Sequence, residues 1–372
     1  MRARADNAHN PISGRERSAM KRSPKQHTAY ESKYLLEHID IEVNHRCNLA
    51  CKHCSARAVK GGHPKELSVD ELKSILSQAM PLGLRKVGLT GGEPLEDVPK
   101  LQEIGRFCRE ELDVPIHTHT NGTLICEGHC RSGGVLTLFE AVSVTFLGGD
   151  AQTHDTMTQV KGSFEQSLKG AAICVQFHLP LTCYFIPTHG TCEGFLDLAE
   201  KLHSLGVNRI RAMALAPSGR ARPIYGETSP LREELIRFEK DILRIADRLD
   251  IHVEAGYCTR LSMPGLNVLS GHDECMSGRN RVHINSKGDV FPCTAASGVK
   301  ELKLGNIKNN GSHLEDIWLN SEIIKLIREI HNGGIPACAK CLREPKCKAG
   351  CTVNACATMS DGSRTICPLV NP

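Results

Sequence analysis

The sequence predicts an α/β protein, a parallel sheet flanked by helices, followed by a cysteine-rich segment with little core of its own. Two observations carry this. From Leu35 to about residue 248, short apolar runs alternate with amphipathic stretches. Repeated strand–helix alternation implies a parallel sheet with helices outside it, either open or curled into a partial barrel. The second observation is the cysteines, 18 in 372 residues, with three at 47–54 and six between 338 and 367. Clusters of thiols, unlike scattered core cysteines, require a ligand or a cross-link.

Taken in order, residues 1–33 are rich in Arg, Lys, Asn, Ser and His without apolar periodicity and read as a disordered basic tail. A core domain is expected over 34–248. Its strands are LLEHIDIEV, KVGLT, PIHTHT, AVSVTF, LTCYFI and NRIRAMAL. Its helices are SVDELKSILSQAM, capped by Ser68, then KLQEIGRFCREEL, GSFEQSLKGAAI, TCEGFLDLAEKLHSLG and LREELIRFEKDILRIADRL. His117 and His119 alternate on one strand and face the same side, as a satisfied core pair or a catalytic one. From 249 to 372 the chain turns rich in Gly, Asn, Cys and Pro. That segment contains a hairpin, RVHINSKGDVFPC, turning at Lys287-Gly288-Asp289, and one helix around LEDIWLNSEIIKLIREI. So small a core needs staples, and metal clusters supply them.

Composition excludes several classes. The formal charge is +4, and beyond the first thirty residues basic groups are interleaved with acidic ones, so no nucleic-acid partner is expected. No apolar run approaches the roughly 18 to 20 residues that span a bilayer, and the N-terminus has no hydrophobic signal core, so a cytoplasmic protein without membrane association is expected. In a reducing compartment clustered cysteines favour metal ligation over disulfides. The 18 histidines include no H-E-x-x-H, which argues against a zinc hydrolase.

Cys47, Cys51 and Cys54 form a C-x3-C-x2-C arrangement just after the first predicted strand. Three thiolates from one loop hold three irons of a [4Fe–4S] cluster and leave the fourth iron open to a small-molecule ligand. The next strand ends in LTGGEPLE at 89–96. Together these motifs resemble the radical S-adenosylmethionine (SAM) superfamily. The resemblance implies a partial (β/α)6 TIM-like barrel in which the open iron chelates the methionine amine and carboxylate of SAM. It places Gly91, Gly92, Glu93 and Pro94 against the methionine amino group, a role that suits glycines permitting close backbone approach and a carboxylate facing an ammonium. THTNGTLI at 118–125 resembles the end of the family's fourth strand and implies Thr120 and Asn121 on the SAM side. His154, Asp155, Gly162 and Phe164 match a further family segment. Leu147 stands there where an Asp is usual, with Asp150 as a substitute, and His53 stands where an aromatic residue is usual. The run SGRAR at 218–222 is similar to the end of the last barrel strand, where an Arg approaches the SAM carboxylate; solvated surface charge is the alternative.

Taken alone, C-x2-C pairs are most often zinc sites. The order Cys275, Cys293, Cys338, Cys341, Cys347, Cys351, Cys367 instead resembles the SPASM extension, which holds two auxiliary [4Fe–4S] clusters. The resemblance assigns Cys275, Cys293 and Cys351 to one cluster and Cys338, Cys341, Cys347 and Cys367 to the other. Cys258 is a candidate fourth ligand of the first. Cys258 and Cys356 are also candidate hydrogen donors to a substrate radical, while Cys108, Cys126, Cys130, Cys174, Cys183 and Cys192 read as packing residues.

The combined resemblance implies a three-cluster enzyme. It cleaves SAM reductively to a 5′-deoxyadenosyl radical and modifies a peptide or small protein by cross-linking, epimerisation or oxidation, in ribosomal peptide maturation. Partners implied are an electron donor such as ferredoxin or flavodoxin and, because the N-terminus is too short for a leader-binding module, a separate leader-binding protein or a docking surface on the barrel. The alternatives are a sulfatase-maturase-like or cofactor-biosynthesis radical SAM enzyme, an iron–sulfur electron-transfer protein and a zinc-stabilised binding protein.

Overall fold

The structure, a computed structural model, describes residues 34–63, 65–255, 275–309, 313–333, 351 and 353. The expected tail at 1–33, and Cys258, Cys338, Cys341, Cys347, Cys356 and Cys367, lie outside the described residues.

Among the described residues ten strands form one sheet: β1 (His38–Glu42), β2 (Lys86–Thr90), β3 (Ile116–Thr120), β4 (Ala141–Phe146), β5 (Leu181–Phe185), β6 (Arg209–Ala212), β7 (His252–Ala255), β8 (Arg281–Ile284), β9 (Asp289–Phe291) and β10 (Gly305–Asn306). Their spatial order is β10-β9-β8-β1-β2-β3-β4-β5-β6-β7. Pairing is parallel from β8 through β7, and antiparallel only at the β8–β9 and β9–β10 pairs. The sheet is thus the expected partial barrel, extended beside β1 by β8, β9 and β10 of the C-terminal segment.

Parallel strands usually read as continuous apolar runs because helices cover both faces. Here strands β1–β6 alternate in residue type. Ile39, Ile41, Val87, Leu89, Val142, Val144, Phe146 and Ile210 are fully buried on the side of the helices. Register puts Asp40, Gly88 and His117 abreast on the opposite face, with His38 abreast of Lys86 and Arg281, and Tyr184 abreast of Arg211. That inner face is polar, so the lumen is built for polar contents rather than for a second apolar layer.

Among the described residues the α-helices longer than one turn are α1 (Val69–Ala79), α2 (Val98–Arg106), α3 (Ala151–Thr158), α4 (Ser163–Gln176), α5 (Phe195–Ser204), α6 (Arg232–Arg248), α7 (Leu314–Asn320) and α8 (Glu322–Gly333). Ser68 caps α1 as expected, in a full capping box: Glu71 N–H donates to Ser68 Oγ at 3.2 Å and Ser68 N–H to Glu71 Oε2 at 2.7 Å. Helix α3 has weak amphipathicity and was not among the elements expected.

The single helix expected over 314–330 is two. Ser321 takes φ −55°, ψ 126°, which ends α7, and its carbonyl then accepts Lys325 N–H to start α8. Asn320 and Ser321 are residues whose side chains compete with helical backbone bonds. Strands β7 and β10, of four and two residues, are too short to show a period. The Trp318 indole N–H donates to Tyr34 O at 2.8 Å, and the Arg328 guanidinium lies 4.3 Å from both the Tyr34 and Trp318 rings. This stack fastens α7 and α8 to the start of β1.

Candidate functional site

Cys47, Cys51 and Cys54 occupy the loop that leaves the end of β1. Cys47 is buried with Leu49 and Ala58 in a small cluster of its own, and Cys51 and Cys54 pack against it. The end of β2 is stitched to the approach to this loop. Gly92 N–H donates to Asn44 O at 3.1 Å, Glu93 N–H to Arg46 O at 2.6 Å and the Asn44 amide to Glu93 O at 3.0 Å. A side chain at Gly92 would drive its Cβ into the Arg46 carbonyl, and one at Gly91 would meet Asn44 O at 2.9 Å. The two glycines are therefore required first by the close approach of β2 to the cysteine loop.

Glu93 is fully buried. Its Oε1 accepts the Thr120 hydroxyl at 2.7 Å and Leu95 N–H at 3.1 Å, and its Oε2 accepts Asn121 N–H at 2.7 Å. Burial pushes the carboxyl up to about 7, against the pull of these donors. The carboxylate thus fixes the end of β3. From there the Asn121 amide reaches Asn48 Oδ1 at 2.9 Å and Cys47 Sγ at 3.9 Å, while the Asn48 amide donates to Thr123 Oγ1 at 2.7 Å. Asn48 and Thr123 were not singled out from sequence. A polar residue wedged between two cysteines was the available signal.

A second clamp comes from the segment after β6. Arg220 donates from Nε to Cys51 O at 2.7 Å, from Nη1 to Ala58 O at 2.7 Å and from its backbone N–H to Cys54 O at 2.9 Å. Gly219, at φ 54°, lies where a Cβ would clash with the Cys54 carbonyl. In this arrangement Arg220 is half-buried and turned onto the cysteine loop, which it braces. On the remaining side, Ala50 N–H and Lys52 N–H donate to Thr158 O and Met157 O of α3.

The His154–Phe164 segment proves architectural. His154 Nδ1 accepts Leu147 N–H at 3.2 Å. Asp155 accepts Gly162 N–H at 2.5 Å, the Ser163 hydroxyl at 2.8 Å and Phe164 N–H at 2.9 Å, so its carboxylate organises the start of α4. Asp150, the expected substitute at the departure from the family pattern, is the N-cap of α3, accepting Thr153 N–H at 2.7 Å.

Burial pushes the Cys47 thiol up to about 12 and raises Cys51 as well, with the neighbouring thiols of the trio acting in the same direction. As thiols these groups are neutral. A cationic centre offsets the cost of gathering three thiolates on one loop, and an all-sulfur donor set on one fixed loop fits an iron–sulfur cluster. The thiols of Cys275, Cys293 and Cys351 likewise converge from three distant points in sequence: burial and the nearby Cys351 and Cys293 push Cys275 up to about 12. Among the described cysteines none is in a disulfide. Cys108, Cys130, Cys174, Cys183 and Cys192 are buried packing residues, whereas Cys126 is exposed.

This geometry defines a class, an enzyme that mounts a cluster at the mouth of a partial barrel. The Radical SAM superfamily model matches residues 41–202, and the SPASM model, an iron–sulfur cluster-binding domain, matches residues 275–342. Residues 41–202 thus carry a radical SAM domain and residues 275–342 a SPASM domain; the protein is an enzyme whose cofactors are [4Fe–4S] clusters and SAM. It is 27% identical to an AdoMet-dependent heme synthase of Nitratidesulfovibrio vulgaris, over 84% of this chain and 86% of that one. To the mycofactocin maturase MftC of Mycolicibacterium smegmatis it is 25% identical, over 83% of this chain and 76% of that one. Streptococcus suis SuiB, solved with its precursor peptide SuiA, superposes with a TM-score of 0.68 at 19% identity, over 91% of this chain and 76% of that one. At that identity the likeness is one of fold.

Proposed function

We propose that this enzyme modifies a peptide or small protein, by cross-linking, epimerisation or oxidation, within the cytoplasm and with electrons from a ferredoxin or flavodoxin. The observation that carries the reading is the double clamp on the Cys47–Cys51–Cys54 loop, from β2 in front and Arg220 behind. In this reading these three cysteines hold the SAM-cleaving cluster. Cys275, Cys293 and Cys351 hold one auxiliary cluster, and Cys338, Cys341, Cys347 and Cys367 the other. Gly91, Gly92, Glu93 and Pro94, with Thr120 and Asn121, form the SAM side, where Glu93 acts through the hydrogen bonds that set Thr120 and Asn121. When bound, cluster and SAM supply a 5′-deoxyadenosyl radical. The chain's own task is to fix one substrate C–H bond in the polar lumen and exclude water and stray thiols.

The mycofactocin maturase and the SuiB complex with its precursor peptide support the peptide reading. A leader, if the peptide has one, docks on the barrel or on a separate protein. The heme synthase relative, matched over 86% of its length, favours a second reading, radical chemistry on a cofactor precursor. Coexpression of the full chain with short peptides encoded beside its gene, read by mass spectrometry, separates the two. The peptide reading expects loss of two hydrogens, or deuterium incorporation from heavy water. An unchanged peptide, together with SAM turnover on a tetrapyrrole precursor, would overturn it.

A further inference from the structure

Three side chains that belong to neither cysteine trio meet on the inner face of the sheet: His38 and Asp40 of β1, and His117 of β3. His38 Nε2 lies 3.2 Å from Asp40 Oδ1, and His117 Nε2 lies 3.4 Å from the same oxygen. All three ligand atoms fall within 4.8 Å of one another. Asp40 is 1% exposed, yet among the described residues its Oδ1 has no hydrogen-bond partner of good geometry, the two imidazole nitrogens being its neighbours. The other carboxylate oxygen is taken, since Oδ2 pairs with Arg281 Nη2 at 3.0 Å and accepts the Thr294 hydroxyl at 3.2 Å.

Two nitrogens about 3.3 Å from a shared oxygen are what ligands of one tetrahedral metal show, given bonds of about 2.0–2.1 Å. A buried carboxylate with one oxygen held by Arg and Thr and the other bare matches a metal ligand oriented by its outer partners. His38 Nε2 otherwise meets Arg281 Nη2 at 3.5 Å, a contact a metal bond would replace. Gly88, abreast of Asp40 and His117, leaves the room: a Cβ there would sit 2.8 Å from His117 Nε2 and closer still to Asp40 Oδ1.

We propose that His38, Asp40 and His117 bind one divalent transition-metal ion, zinc in the first instance, with a fourth position open. Two imidazoles and a carboxylate suit zinc, whereas the cysteine sites hold iron by sulfur. The ion ties β1 to β3 and, through Asp40 and Arg281, to β8, joining the barrel to the segment that carries Cys293.

The test uses the full-length, anaerobically purified holoenzyme, equilibrated with micromolar zinc and then washed. About one tightly held zinc per chain is expected by elemental analysis, with unchanged iron and sulfide. Zinc-edge X-ray absorption should show a nitrogen/oxygen shell near 2.0 Å and no sulfur shell near 2.3 Å. His38→Gln/His117→Gln and, separately, Gly88→Ala should each lose the zinc while keeping their iron. No retained zinc, a sulfur shell, or equal zinc in folded variants would overturn the proposal. The absorption spectrum of the unaltered protein decides even if every variant misfolds.

Discussion

At the scale of single residues, Gly92 and Glu93 carry the most testable load. A Cβ at position 92 cannot coexist with the Arg46 carbonyl, so Gly92→Ala is expected to shift the approach to Cys47 and lower iron by about four per chain, one [4Fe–4S] cluster. Colorimetric iron analysis checks it. Glu93 titrates near 7 when folded, above the ordinary 4.5. Its contribution to stability is therefore fully present below about pH 4.5 and is lost as pH rises through about 7, on the order of 3 kcal/mol. Glu93→Gln abolishes that slope, and its amide group turns a donor toward Asn121 N–H. Between pH 5 and 8 the melting temperature of the variant should fall less than that of the parent chain, from a lower starting point.

Single residues also show what the sequence could and could not say. Cys47, Cys51 and Cys54 were legible because ligand spacing is local and rare. Glu93 was legible as a site residue, but its hydrogen bonds to Thr120 and Asn121 were not, since they join positions 27 and 28 residues apart. Arg220 read as a SAM contact or a surface charge. Its bonds to Cys51 O and Ala58 O span 169 and 162 residues, and no local pattern announces such a brace.

At the scale of elements, strands β1–β6 and the amphipathic helices were readable because their alternation or helical period runs long enough to register. Strand β7 is too short for that, and the break at Ser321 depends on side chains competing locally for backbone bonds. The segment joining α3 to α4 depends on one carboxylate. Asp155→Asn replaces an acceptor of three hydrogen bonds at a helix start and should cost about 1–2 kcal/mol, measured by chemical or thermal unfolding. Arg220→Ala strips donors from two carbonyls of the cysteine loop. It should destabilise that loop by about 1–3 kcal/mol and speed iron release to an external chelator, followed by absorbance.

At the scale of the molecule, the sheet does not stop where strand–helix alternation stops. Strand β8 pairs in parallel with β1 from His38↔Arg281 to Ile41↔Ile284, and the Tyr34–Arg328–Trp318 stack closes the same edge. Neither was visible in the sequence, because pairing across more than 240 residues leaves no local trace. A chain cut after residue 255 exposes β1 as a bare parallel edge, and edges of that kind recruit other chains. Such a chain is expected in the insoluble fraction or as large aggregates on size exclusion. Among the described residues no helix is long and apolar enough to cross a membrane.

The central claim is that the clamped loop after β1 holds the cluster at which SAM is cleaved. Its most direct measurement is 5′-deoxyadenosine formed under dithionite by the parent chain and by a Cys47→Ala/Cys51→Ala/Cys54→Ala variant, each reconstituted without oxygen. The account expects product from the parent and none from the variant, which should keep about eight of about twelve irons. Product from the variant at the parent's rate, or an iron count unchanged by the three substitutions, would contradict it.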